Sequence, residues 1–157
     1  MTDFEIRTED PKATDVIRLI QAHLAYAQAW SKPEDVHVLE AEELDSDGVE
    51  FFSARGQGRL LAIGALSPVG GGLVEIKSMH TAPEFRRRGL GRAMLDHLVG
   101  IAAERGEFSQ IGVETGMGKA FAPARRLYRS MGFLPCPPFG VHHESDDSIC
   151  MSLSIDD

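Results

Sequence analysis

The chain is poor in the residues that build metal centres and cross-links: its 157 residues include two cysteines, one tryptophan and two tyrosines. Cys136 and Cys150 are too few and too far apart in sequence for a zinc ribbon or a CxxC redox pair, so two packed, reduced thiols are expected. No carboxylate or cysteine recurs at ligand spacing with the histidines, and no metal is expected. Long apolar runs are missing too; nothing approaches the roughly 20 residues that cross a bilayer. The opening Met1-Thr2-Asp3-Phe4-Glu5 lacks the basic-then-apolar order of a signal peptide, so a cytoplasmic location is expected. Positive charge is in deficit: 16 Lys and Arg against 24 Asp and Glu leave a net charge of -8, which disfavours nucleic acid and anionic membranes as partners.

What remains suits one globular domain over residues 1–157, with an apolar fraction of 43% that fills a layered core without metal or disulfide staples. Phe4 to Arg7 alternates as a strand does, and Asp10-Pro11 offers an N-cap with proline at the first helical position. Val16, Ile17, Ile20, Leu24 and Ala27 then recur at helical steps as far as Trp30. Residues 31–47 are polar and irregular. Residues 49–54 and 60–66 are β-rich and flank the glycine-containing loop 55–59, and residues 73–80 form a third extended run. Strict alternation along that run sets Val74, Ile76 and Ser78 on one face, Glu75, Lys77 and Met79 on the other, and His80 opposite Glu75. A helix from Leu90 to Gly106, a strand at 109–115, a helix at 119–130 with Pro123 in its first turn, and a last strand at 149–155 complete an α/β domain on a mixed sheet.

Against this acidic background Arg86-Arg87-Arg88-Gly89-Leu90-Gly91-Arg92 stands out at a strand-to-helix junction. The glycines permit a tight turn, and the free N–H groups opening the helix point at whatever occupies it, so the loop is an anion site. A Rossmann fingerprint is excluded by the missing third glycine. Gly118-Lys119-Ala120 lacks the Ser/Thr of a P-loop.

Met79 to Gly91, with Arg86, Gly89 and Gly91 in an Arg-x-x-Gly-x-Gly pattern after Pro83, resembles the acetyl-CoA motif of the GNAT superfamily of N-acetyltransferases. Downstream, Ala124-Arg125-Arg126-Leu127-Tyr128-Arg129-Ser130-Met131-Gly132-Phe133 resembles that family's Ala-x-x-Leu-Tyr-x-x-x-Gly-Phe segment. More narrowly, residues 113–124 and 136–139 resemble a small bacterial branch without a defined substrate. The resemblance implies a mostly antiparallel central sheet of about seven strands with helices on both faces, and acetyl-CoA as co-substrate. It puts the pyrophosphate of coenzyme A on the amides and side chains of Arg86, Arg87, Arg88, Gly89, Leu90, Gly91 and Arg92, and the pantetheine arm along the backbone of Met79, His80 and Thr81.

Tyr128 stands at the family's general-acid position, where a phenol of pKa about 10 protonates a departing thiolate. Its alternative is a packed tyrosine of the helix. Glu75 is the first base candidate on the resemblance, with pairing to Lys77 as its structural alternative, and Glu114 ranks behind it. His80, His142 and His143 are expected in surface or packing roles. Phe121 replaces an asparagine common in the family, so no cofactor contact is carried over to it.

The implied reaction moves an acetyl group to a primary amine in a ternary complex, with a small-molecule acceptor favoured. A protein or peptide amine, or a module that binds acyl-CoA without catalysis, stays open. The acceptor is expected between Tyr26, Trp30 and His37 and the loop 137–142, segments that serve equally well as a homodimer surface.

Overall fold

A computed structural model of the protein describes residues 3–36 and 39–155. Seven strands form one sheet in the order β1-β2-β3-β4-β5-β7-β6. They are β1 (Glu5–Thr8), β2 (Glu50–Gly56), β3 (Arg59–Gly70), β4 (Leu73–Thr81), β5 (Gln110–Gly116), β6 (Leu134–Cys136) and β7 (Ser148–Ser154). Every neighbouring pair is antiparallel except β4 and β5. The helices are α1 (Thr14–Trp30), α2 (Ala41–Leu44), α3 (Leu90–Arg105) and α4 (Ala122–Ser130). The expected element order and mixed sheet are therefore observed.

Asp10-Pro11 does not open the first helix. The Asp10 side chain accepts from the Lys12 amide at 2.9 Å and its carbonyl from the Ala13 amide at 3.2 Å. A local turn forms instead, and α1 begins three residues later than the motif suggested, at Thr14. Among the described residues, 31–36 hold the 3-10 turn Pro33–Asp35, and 39–47 hold the one-turn α2, whose capping box pairs Glu40 with Glu43.

α1 and α3 cover opposite faces of the sheet. Gly64 on β3 admits α3 closely: a Cβ there would meet Met94 Cγ at 3.0 Å and Leu98 Cδ1 at 3.2 Å. Met94, Leu95 and Leu98 are fully buried on that side, and α1 contributes Val16, Leu19 and Ile20 to the core on the other. Burying a leucine-sized side chain stabilises a fold by about 2 kcal/mol, so these two stripes are what hold the helices down.

Two irregularities at the middle of the sheet shape the functional region. β4 and β5 pair only at Leu73, Val74 and Glu75 against Gln110, Ile111 and Gly112, and beyond that the two strands run on unpaired. In β4 itself, Lys77 pairs with Ala65 and His80 with Ile63, so Ser78 and Met79 together oppose the single residue Gly64. This β-bulge is centred on Ser78, whose φ of +55° is left-handed. Strict alternation is broken there. His80 therefore shares the α1-side face with Glu75 and Lys77, and its expected placement opposite Glu75 is corrected.

Candidate active site

The splayed halves of β4 and β5 bound a cleft of about 630 Å³. At one end lies the arginine-glycine loop. Arg87 and Gly89 have φ of +66° and +78°, and only the glycine takes up that conformation without a Cβ penalty. Gly89 is the N-cap of α3 and no side chain caps that terminus. The helical ladder starts with the Ala93 amide donating to the Gly89 carbonyl, so the amides of Leu90, Gly91 and Arg92 precede it. Gly89, Leu90 and Gly91 face the cleft.

The arginines divide. Arg86 and Arg87 face the cleft, and the Arg86 guanidinium lies 5.6 Å from the centre of the Tyr26 ring. Arg88 instead stacks over Phe85 at 5.4 Å, and Arg92 donates to Ser130 Oγ at 2.9 Å. Met79, His80 and Thr81 line the cleft.

Tyr128 is buried in the cleft wall, its ring 5.6 Å from that of Phe133. Burial pushes its phenol well above the ordinary tyrosine value, so it holds its proton at neutral pH. α4 reaches this wall by packing on the start of α3: a Cβ on Gly91 would stand 3.4 Å from Leu127. Phe121 fills the space over Gly116, where a Cβ would come within 2.1 Å of its ring.

Glu75 is 4% exposed and sits among charges. Its Oε2 accepts from His142 Nε2 at 2.5 Å and lies 3.2 Å from Lys77 Nζ. On the other side of the ring, His142 Nδ1 is 3.2 Å from Glu114 Oε2. Glu75 pairs with Gly112, and Glu114 follows two residues along β5 on the same face, which lets one imidazole bridge both carboxylates. Burial opposes charge on this ring, but Glu114 and Glu75 outweigh it and raise His142 to about 9.

The loop that supplies His142 is fixed by Phe139. The Phe139 ring occupies the space over Gly112, and its carbonyl accepts from the His142 amide at 3.0 Å. His142 is therefore neither a surface nor a simple packing residue, and that expectation is corrected. A buried histidine between two carboxylates has no local sequence signal. The nearest clue was that Glu75, Glu114 and His142 all fell on segments adjoining the cleft.

A pair of histidines also went unforeseen. His23 on α1 and His80 on β4 meet with their Nδ1 atoms 3.1 Å apart, and burial lowers them to about 4 and about 3. Tyr26, one turn along α1 from His23, donates to the Ala120 carbonyl at 2.8 Å and meets Phe121 edge-on. α1 is thereby tied to the start of α4 across the cleft.

Of the remaining expected acceptor residues, Trp30 is 61% exposed and His37 lies outside the described residues. His143 is half exposed, 3.6 Å from Asp35. Cys136 and Cys150 are both free thiols, directly opposite one another on β6 and β7. Among the described residues, no cluster of His, Cys, Asp and Glu is arranged to hold a metal, and no helix is long and apolar enough to cross a membrane.

An uncapped helix terminus, a basic turn and a slot between unpaired strands are a fit for a long ligand with an anionic end. Comparisons with known proteins agree. The acetyltransferase (GNAT) family model matches residues 16–133. YsnE of Bacillus subtilis (strain 168), an uncharacterized N-acetyltransferase, is 35% identical over 150 residues, covering 96% of this chain and 99% of its own. YedL of Escherichia coli (strain K12), likewise an uncharacterized N-acetyltransferase, is 32% identical over 152 residues, covering 97% and 95%. In fold, a Klebsiella pneumoniae protein assigned to the acyl-CoA N-acyltransferases superimposes with a TM-score of 0.79 at 23% identity, covering 98% of both chains. The yncA protein of Salmonella typhimurium, solved with its cofactor acetyl-CoA, gives 0.73 at 20% identity, covering 98% of this chain and 94% of its own. The chain belongs to the GNAT family of acetyltransferases and is an acetyl-CoA-dependent N-acyltransferase.

Proposed function

We propose that the protein transfers the acetyl group of acetyl-CoA to the primary amine of a small molecule, with both substrates bound together. One observation carries the reading. A single cleft runs from the uncapped N-terminus of α3 to Glu75, with Tyr128 in its wall.

When bound, acetyl-CoA supplies an activated acyl group on a thiol that leaves readily. The amides of Leu90, Gly91 and Arg92, with the side chains of Arg86 and Arg87, hold its pyrophosphate. The unpaired edge of β4 from Ser78 to Thr81 offers backbone donors and acceptors to its extended arm, and an amide there steadies the oxyanion that develops at the carbonyl. Glu75 takes the proton the amine must lose, and His142 with Lys77 keeps that carboxylate in place. Tyr128 gives its phenolic proton to the departing sulfur, a task for which a group protonated throughout the neutral range is suited.

The acceptor end is walled by α1, residues 31–36 and the loop that carries His142, and this enclosure favours a small amine over a chain segment. The test is thiol release on adding amines, with Tyr128→Phe beside the wild type. The expected result is amine-dependent release, with kcat reduced about a hundredfold in the variant and its KM for acetyl-CoA little changed. Undiminished turnover of the variant across pH would remove Tyr128 from the mechanism.

A further inference from the structure

Among the described residues, three carboxylates line the acceptor end of the cleft. Glu75 and Glu114 are answered by His142 and Lys77, which lie among them. Asp35 is the third, in the 3-10 turn after α1, and it too lines the cleft. Its side chain is only 3% exposed. Oδ2 accepts from Ser145 Oγ at 2.9 Å, whereas the buried Oδ1 has no hydrogen-bond donor among the described residues. Among the described residues, His143 Nε2 lies 3.6 Å from Oδ1, beyond hydrogen-bond length and on a half-exposed ring.

Leaving one oxygen of a buried carboxylate without a donor is costly, by about 1–3 kcal/mol or more. The surroundings nevertheless hold Asp35 in that position. Ser145 donates to it and is itself fixed by the Asp147 amide at 3.1 Å, while Lys32 reaches Asp147 at 2.6 Å. These contacts staple residues 31–36 to the loop that carries His142 and His143. The arginines that could neutralise Asp35 lie at the opposite, cofactor end of the cleft.

We propose that Asp35 is a specificity residue that binds a second positive centre of the acceptor, so that the preferred substrate is a small diamine or a comparable dication with one reactive primary amine. This rests on the amine-acceptor reading above and adds the acceptor's second charge. One amine goes to Glu75 and loses its proton, while the other stays an ammonium and takes the place of the half-exposed His143 ring at Oδ1. A simple alkylamine fills the first position and leaves Oδ1 undonated.

The test is calorimetric titration of the full chain, saturated with coenzyme A, using linear diamines and the monoamine of equal length for each. For at least one length the diamine is expected to bind about tenfold more tightly, the worth of one charge-assisted hydrogen bond. Asp35→Asn, which keeps the size and a polar link to Ser145, is expected to abolish that preference while leaving the monoamine's affinity unchanged. His143→Ala removes the covering ring and should tighten diamine binding. It also reports on the site if Asp35→Asn does not fold. Equal affinities for diamine and monoamine at every length, or a preference that survives Asp35→Asn, would overturn the proposal. Thiol release is measured separately. A diamine that binds selectively without releasing thiol would refute the reaction and leave the binding inference standing.

Discussion

Replacing His142 by glutamine removes the one cation lodged between two buried carboxylates, and the consequence is readable as a stability difference that changes with pH. In the native protein the ring is raised from 6.5 to about 9. A group whose pKa rises on folding stabilises the fold fully below its unfolded value and loses that contribution as pH climbs through the folded value. The window is therefore pH 6.5 to about 9, and the gap corresponds to about 3 kcal/mol. In His142→Gln, Lys77 still attends Glu75, but no titrating group takes the place of the ring. At pH 6.5 the variant should be less stable than wild type by about 3–5 kcal/mol, the usual cost of breaking a buried ion pair. Above pH 9 most of that difference should vanish. With a urea slope of about 2 kcal/mol per M, the separation between the two midpoints should contract by about 1.5 M. Far-ultraviolet circular dichroism is the suitable probe, because the only tryptophan, Trp30, is exposed and reports poorly on the core. A separation constant from pH 6.5 to 9.5 would refute the assignment of the charge to His142.

On the acid side the opposite sign holds. His23 and His80 are depressed to about 4 and about 3, so their contribution is complete above pH 6.5 and lost as pH falls toward those values. Thermal melts of wild type should drop below pH 6, and His23→Gln should flatten that fall. Gly116→Ala forces a Cβ to within 2.1 Å of Phe121, and the ring must turn toward the cleft. A loss of about 1–3 kcal/mol in urea unfolding and a raised KM for acetyl-CoA are expected. Gly89→Ala meets no neighbour within 4 Å, so its cost is the left-handed backbone alone, about 1 kcal/mol. Coenzyme A affinity measured by calorimetry should fall, because the turn that presents the α3 amides is strained.

The arginine-glycine end of the cleft was far more legible than the end at Glu75. A Gly at a left-handed N-cap, an arginine run and a helix start are local, and each leaves its mark within seven residues. Tyr128 was singled out by the resemblance of Ala124 to Phe133 to the family's last-helix segment, which is again a local pattern. His142 escaped notice because its partners are 67 and 28 residues away and meet it only after the loop folds back over Gly112. His23 escaped for the same reason, its partner being 57 residues along the chain. The wrong faces expected for Met79 and His80 followed from a bulge that no residue type advertises: serine is an ordinary strand residue, and its positive φ is imposed by the sheet around it.

The bulge at Ser78 also separates the two ends of β4. A strand is a rigid comb in which adding or losing one residue turns every later tooth over, and Ser78 already absorbs one such step. Upstream, the count from Leu73 to Lys77 is locked to the carboxylates on β5; downstream, the count from Met79 to Thr81 is locked to α1. Deleting Ser78 would remove the extra residue and restore one-to-one pairing, with Met79 opposite Gly64 and His80 still opposite Ile63 on the face of α1. The extra residue is thus what lets one strand serve two registers, keeping Glu75 level with β5 on one side and His80 against His23 on the other.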